Sequence, residues 1–145
     1  MRLQYETFEH MADVGIRGYG NTPEEALSNL LKALATLLVE DSSFLEERPL
    51  FEVELTQSAE FLDELLVNFV NQVLSLTYLE NKIFYEFKGE LKAEEGRYLL
   101  VGKILGVPFD PTRYGYGVEV KGATFTLSKF QREDSQFVAQ CVVDV

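Results

Sequence analysis

Beyond residue 81 the apolar residues change their spacing. In "PEEALSNLLKALATLLVE" and "FLDELLVNFVNQVLSL" they recur every three or four positions, whereas in "KIFYEFKGELKAEEGRYLLVGKILG" they alternate. The first period belongs to helices that bury a stripe, the second to strands that bury one face. No helical pattern interrupts the second half, so its strands lack the crossovers that a parallel sheet needs. A doubly wound α/β fold is thereby excluded.

The elements follow from local signals. A strand pair occupies residues 4–10 and 14–19, with "MAD" at the corner. The first helix is punctuated by Thr22 as N-cap, Pro23 at the first helical position and Glu25 completing a capping box. After the polar connection "DSSFLEERP" comes a short alternating strand, "LFEVELTQ", and then a second helix over about residues 58–79. That helix is apolar except for a narrow stripe of Glu64, Asn68, Asn71 and Ser75, so it is expected to be covered on most sides. A meander turning at "EEGR", the loop "VPFDPTRYGYG", a strand pair in "VEVKGATFTLSKF" and a last strand in "QFVAQCVVDV" complete the chain. The expected fold is α+β: two helices packed on a mainly antiparallel, curved β-sheet, in the order β-β-α-β-α-β-β-β-β-β. Residues 1–145 form one domain, long enough to bury roughly 68–70% of the unfolded surface without disulfides.

Charge narrows the function. The formal charge of −11 argues against autonomous nucleic-acid binding, which needs a basic footprint. An acidic surface suits hard cations or a basic partner. The opening "MRLQYETFEH" has no signal-peptide core and no window approaches a membrane span, so a cytoplasmic location is expected. The lone Cys141 sits in an apolar run, which predicts a buried, inert thiol and suits a reducing compartment.

Several chemistries find no pattern. Gly15, Gly18 and Gly20 do not match G-x-G-x-x-G, and Glu24 and Glu25 in the following helical turn would repel a phosphate. No serine stands in a G-x-S-x-G elbow. Among 24 acidic residues some carboxylate pair arises by chance, so pairing alone carries nothing. One histidine and one cysteine are too few for a transition-metal site. Oxygen ligands for Ca²⁺, Mg²⁺ or Mn²⁺ are another matter. If the last strand runs beside the first, Asp144 and the α-carboxylate of Val145 meet Asp13 in an oxygen cage; otherwise Asp144 is a solvated residue at a chain end. His10 closes the same corner as Asp13, either as an ordinary turn residue or as part of a site. Glu119 and Lys121 share a strand face by alternation, as a surface charge pair or as a lysine poised beside an acidic site.

Four segments, "EHMADVGIRGYGNTPEEAL", "LDELLVNFVNQVLSL", "GVPFDP…GVEVKGATF" and the closing "VVDV", together resemble the archease family, in order and over essentially the whole chain. The resemblance implies a small metal-binding accessory protein, not an enzyme. Such proteins assist the GTP-dependent RNA ligase of the RtcB type in tRNA splicing and repair, promoting uptake of GMP by the ligase's own histidine and repeated turnover. It further implies a bound metal, usually described as calcium, with ligands carried over to Asp13, Asp144 and Val145. Lys121 carries over as the functional lysine of the E-V-K motif; on the accessory-protein reading His10 is then expected to orient a ligand or the turn. Family members have also been described as chaperones, so a modulator of a tRNA methyltransferase is an alternative; a metal-dependent hydrolase using His10 as base is another. Met11, Gly122 and Tyr114 depart from the usual family forms, which puts details of the partner surface in question.

Overall fold

The computed structural model describes residues 3–145. Its first helix, α1 (Pro23–Leu38), begins where the punctuation places it. Thr22 Oγ1 accepts the Glu25 N–H at 3.1 Å, and the Glu25 carboxylate reaches back to the Asn21 N–H at 3.2 Å. The other first-turn carboxylate, Glu24, leaves the helix altogether. It accepts the Leu91 N–H at 2.8 Å, while Ser28 Oγ, one turn on, accepts the Phe87 N–H at 3.0 Å. Both donors belong to β4 (Lys82–Glu94), the edge of a three-stranded sheet with β3 (Phe51–Ala59) and β5 (Arg97–Pro108) in the order β3-β5-β4. A helix side chain thus satisfies backbone groups that an edge strand would otherwise present to solvent or another chain.

The second sheet has five strands. β1 (Tyr5–His10), β2 (Asp13–Gly20) and β8 (Gln136–Asp144) run side by side, and both β6 (Gly122–Ala123) and β7 (Lys129–Glu133) pair with the other edge of β8. Every pairing is antiparallel. The expected α+β class and the order of eight strands and two long helices hold, with the strands divided between two sheets. α1 and α2 (Leu62–Glu80) each touch strands of both sheets, which explains why α2 is apolar nearly all round.

Three local expectations need correction. Helix α2 starts at Leu62, not near residue 58, because Ser58 and Ala59 prolong β3 by pairing with Leu99 and Tyr98 of the long strand β5. The polar connection and the Pro/Gly loop each hold a helical turn, Ser43–Glu46 and α3 (Pro111–Tyr114), the latter capped by the Asp110 carboxylate. The strand pair expected in "VEVKGATFTLSKF" is present but short: β6 holds only Gly122 and Ala123, β7 starts at Lys129, and each pairs with β8. The "EEGR" turn is as expected, with Glu95 and Gly96 both at positive φ (42° and 77°), the conformation that a tight hairpin demands.

Close approach between layers depends on Gly18. A Cβ there would collide with the Ala26 carbonyl oxygen and the Leu30 nitrogen of α1. Ile16 and Cys141 pair across β2 and β8 and both are fully buried beneath that helix. Burial pushes the Cys141 thiol up to about 12. No helix of the described residues is long and apolar enough to cross a membrane.

Two outcomes test this packing. Gly18→Ala should lower unfolding stability by about 1–3 kcal/mol through overpacking, read as a fall in the urea midpoint at unchanged slope. Cys141 should stay unreactive toward a disulfide reagent at pH 8 in the native protein and react fully in denaturant, since its folded pKa lies above its unfolded one and the thiolate forms only after unfolding.

Candidate metal and docking site at the end of the five-stranded sheet

Strand β8 lies between the chain's first hairpin and its E-V-K segment, and this fixes which residues meet. Val14 pairs with Val143; one step further along the same register, Asp13 of β2 faces Asp144 of β8. On its other side Asp13 pairs with His10, and Asp144 pairs with Gly122. The pairs His10–Asp13 and Gly122–Asp144 therefore lie side by side at the same end of the sheet, one step beyond the last β2–β8 pair. Val145 follows directly, and the Lys121 N–H donates to the Asp144 carbonyl at 2.7 Å. Strand alternation sets His10, Asp13 and Asp144 on the face shared with Phe8, Arg17 and Gln140, opposite to Ile16 and Cys141. Asp144 is exposed and His10, Asp13 and Val145 are partly so.

Electrostatically this corner is uncompensated. Neither Asp13 nor Asp144 takes part in an ion pair among the described residues. Arg17, on the same face, is held elsewhere: it pairs with Glu6, donates to Gln140 and lies 4.6 Å from the centre of the Phe8 ring. No group of three or more His, Cys, Asp or Glu side chains among the described residues is placed to hold a metal. The sequence-derived donor set contains only two such side chains and adds the main-chain carboxylate of Val145. Hard oxygen donors of this kind fit Ca²⁺ or Mg²⁺, with water filling the remaining positions.

At the tip of the hairpin, Met11 is 94% exposed with φ at +56°, a backbone region that non-glycine residues seldom occupy. A large apolar side chain is thus held in full view of solvent immediately beside the carboxylates.

Glu119 and Lys121 are both exposed, but they share no strand face, and no ion pair joins them. Helix α2 supplies the reason. The Tyr78 hydroxyl donates to the Val120 carbonyl at 2.8 Å and accepts the Val120 N–H at 3.2 Å. Two turns earlier, Asn71 Oδ1 accepts the Ala123 N–H at 2.8 Å and its Nδ2 donates to the Ala123 carbonyl at 3.4 Å. These side chains bond the backbone on either side of Lys121, while Lys121 itself and the residues after it are tied to β8. Burial raises the Tyr78 pKa, Glu119 raises it further, and the neutral hydroxyl that the clamp requires is maintained. Sequence reading missed both clamp residues. Asn71 stood in view as one of four polar residues on an apolar helix; Tyr78, at the helix end, gave no comparable signal.

The clamp has a direct readout. Tyr78→Phe and Asn71→Ala should each cost about 1–2 kcal/mol of stability, and should speed hydrogen exchange at the Val120 and Ala123 amides respectively. Unchanged protection at both amides would show that the segment is held by something else.

Comparison with known proteins agrees with this architecture. The model of the Archease protein family (MTH1598/TM1083) matches residues 5–145. A protein archease of Pyrococcus furiosus is 36% identical over 143 residues, covering 98% of this chain and 99% of its own. The one from Methanopyrus kandleri is 34% identical over 144 residues, covering 99% and 100%. Among solved structures, the solution structure of protein 1598 of Methanobacterium thermoautotrophicum superimposes with a TM-score of 0.80 at 23% identity, over 97% of this chain and 98% of that one, a likeness of fold. With the hairpin, the helix, the E-V-K segment and the last strand all in their places, the chain belongs to the archease family.

Proposed function

We propose that this chain is a non-enzymatic, metal-binding accessory protein that activates a GTP-dependent RNA ligase of the RtcB type, promoting guanylylation and multiple turnover of the ligase in tRNA splicing and RNA repair. The observation that carries this reading is the register that sets Asp13 against Asp144 with no cationic partner among the described residues. Asp13, Asp144 and the carboxylate of Val145 would hold a hard divalent ion, Ca²⁺ by preference for oxygen donors, which would supply positive charge to carboxylates that form no ion pair among the described residues. His10, paired with Asp13 across the hairpin, would orient that carboxylate.

Around this corner the surface suits a basic partner. The chain carries a net charge of −11, and opposite charge speeds encounter with a cationic active-site cleft. Exposed Met11 offers an apolar contact at the same tip. Lys121, tied through its own N–H to Asp144, would meet a carboxylate or phosphate of the bound ligase. By binding one state of the ligase better than another, the protein would shift its population toward the guanylylated form.

A second reading, modulation of a tRNA-modifying enzyme such as a methyltransferase, draws on one specific similarity. A Thermotoga maritima crystal structure described as an archease and possible chaperone matches this fold at a TM-score of 0.51 and 23% identity, over 100% of this chain and 98% of that one. Hydrolysis with His10 as base draws least support, since His10 lines none of the five principal clefts of the described residues.

Single-turnover guanylylation of purified ligase with labelled GTP tests the proposal. The unaltered protein should accelerate it, and Asp13→Ala or Asp144→Ala should reduce the stimulation by about tenfold or more. Adding one residue after Val145 should weaken Ca²⁺ binding measured by calorimetry on the isolated protein. Absence of stimulation by the unaltered protein would overturn the ligase assignment, and co-purification of a methyltransferase in its place would favour the second reading.

A further inference from the structure

On the other side of the clamped segment, a groove of about 440 Å³ opens between the ends of α1 and α2 and the chain at residues 109–119. Leu38, Tyr78, Phe109, Tyr116 and Val118 give it apolar and aromatic walls, and among the described residues Glu119 is the only charged one lining it. Both sides are tied down. The Tyr78 ring is fixed through its hydroxyl to Val120, while the Gly117 and Val118 N–H groups donate to Leu38 and Leu37 carbonyls of α1 at 3.1 and 2.8 Å. Gly117 is required there, because a Cβ would collide with the Leu37 carbonyl. The groove is therefore built before any ligand arrives.

Its charge has no internal answer. Glu119 forms no ion pair among the described residues. Its field contributes to raising the Tyr78 pKa, which places the carboxylate near that phenol. A second carboxylate, Glu40, lies against Gly115, the residue before the groove-lining Tyr116, with its Oε2 2.8 Å from the position a Gly115 Cβ would take. The neighbouring cations are turned to other partners. Arg113 pairs with Glu47 at 3.7 Å and covers the Tyr114 ring, and Lys82 lies 4.4 Å from the centre of the Phe51 ring. Lys121 is separated from the groove by the buried Val120.

We infer that this groove receives an arginine side chain from a basic partner protein. A guanidinium plane stacks on tyrosine faces and binds a carboxylate through its fork, and its apolar stem lies against surfaces such as Leu38 and Val118. A purely apolar occupant would strand the Glu119 carboxylate without water or counter-ion. An anion would be repelled. Lysine satisfies the charge but is more strongly hydrated and lacks the planar fork, so it ranks second. The inference deepens the docking reading above, on which it rests for a protein partner, but it is tested without that partner and without metal.

The test is an NMR titration of the isotope-labelled full chain, in metal-free buffer, with N-acetyl-L-argininamide. The neutral isostere N-acetyl-L-citrullinamide, N-acetyl-L-lysinamide and N-acetyl-L-leucinamide serve as comparisons. Arginine should shift resonances of Tyr78, Tyr116, Val118 and Glu119, about two- to fivefold more tightly than citrulline. Glu119→Gln should erase that preference, and Tyr116→Ala should weaken binding without altering the spectrum of the sheet. Equal binding of citrulline, tighter binding of leucine or lysine, or shifts confined to other surfaces would overturn the inference, and none of these results bears on guanylylation by the carboxylate corner.

Discussion

Pairing of β2 with β8 is the interaction on which the molecule depends. It runs from Val14 opposite Val143 to Gly20 opposite Phe137, and so zips the first hairpin to the last strand of the chain. A contact of such sequence separation is costly to close, and its retention rests on what it buries: Ile16, Ala139, Cys141 and Val143 all lie within the core beneath α1. The acidic corner is a by-product of that burial. Register is set by β2, whose buried Ile16 and Gly18 alternate with half-buried Arg17 and Tyr19, against a β8 that is buried throughout residues 138–143; a slip of one position would turn the polar residues of β2 into the core. With register fixed, Asp13 has no choice but to face Asp144.

The rest of the site is hung from this axis by α2. That helix touches strands of both sheets and is oriented mainly by apolar packing, with a Gln72–Gln57 hydrogen bond to β3 beside it. Its two polar arms, Asn71 and Tyr78, then hold the edge of this segment that β8 leaves free, at Ala123 within the short β6 and at Val120 just before it. Rigidity here comes from side chain-to-backbone bonds on a buried helix, and Glu119 and Lys121, flanking the buried Val120, form no ion pair with each other. Glu119 lines the aromatic groove, while Lys121 is tied through its N–H to Asp144.

Much of this could be read from residue order. The period change, the Thr22–Pro23–Glu25 punctuation and the "EEGR" turn are local signals, and the structure follows each of them. The resemblance to the archease family is likewise met by the comparisons. What escaped are features settled by tertiary competition. Residues 58 and 59 have helical neighbours, yet β5 captures them as strand. "VEVKGATF" alternates like a strand, yet α2 takes its backbone groups first. Glu24 had every local reason to serve the α1 dipole and instead caps β4, since an unpaired edge N–H within reach is the stronger attractor. The division of eight strands between two sheets is of the same kind, because alternation says which face is buried but not against what.

The uncompensated corner has one further consequence. Asp13 and Asp144 sit on neighbouring strands at the same end of the sheet and carry like charges, which repel by an amount that falls with their separation and with the polarity of their surroundings. The ladder between β2 and β8 carries this load without help from Arg17, which is bound to Glu6 and Gln140. Any cation that settles between the carboxylates therefore relieves a repulsion that the fold alone has to bear. A divalent ion and a cationic group of a partner draw on the same relief, so whichever binds first lowers what the second can gain from charge alone. A partner that requires the metal must then recognise it through open coordination positions, using oxygen donors and not ammonium or guanidinium groups. On this argument the corner and the aromatic groove beside Glu119 ask for opposite chemistry from one docking surface: oxygen ligands at the sheet end, and a cation some residues away along the clamped segment.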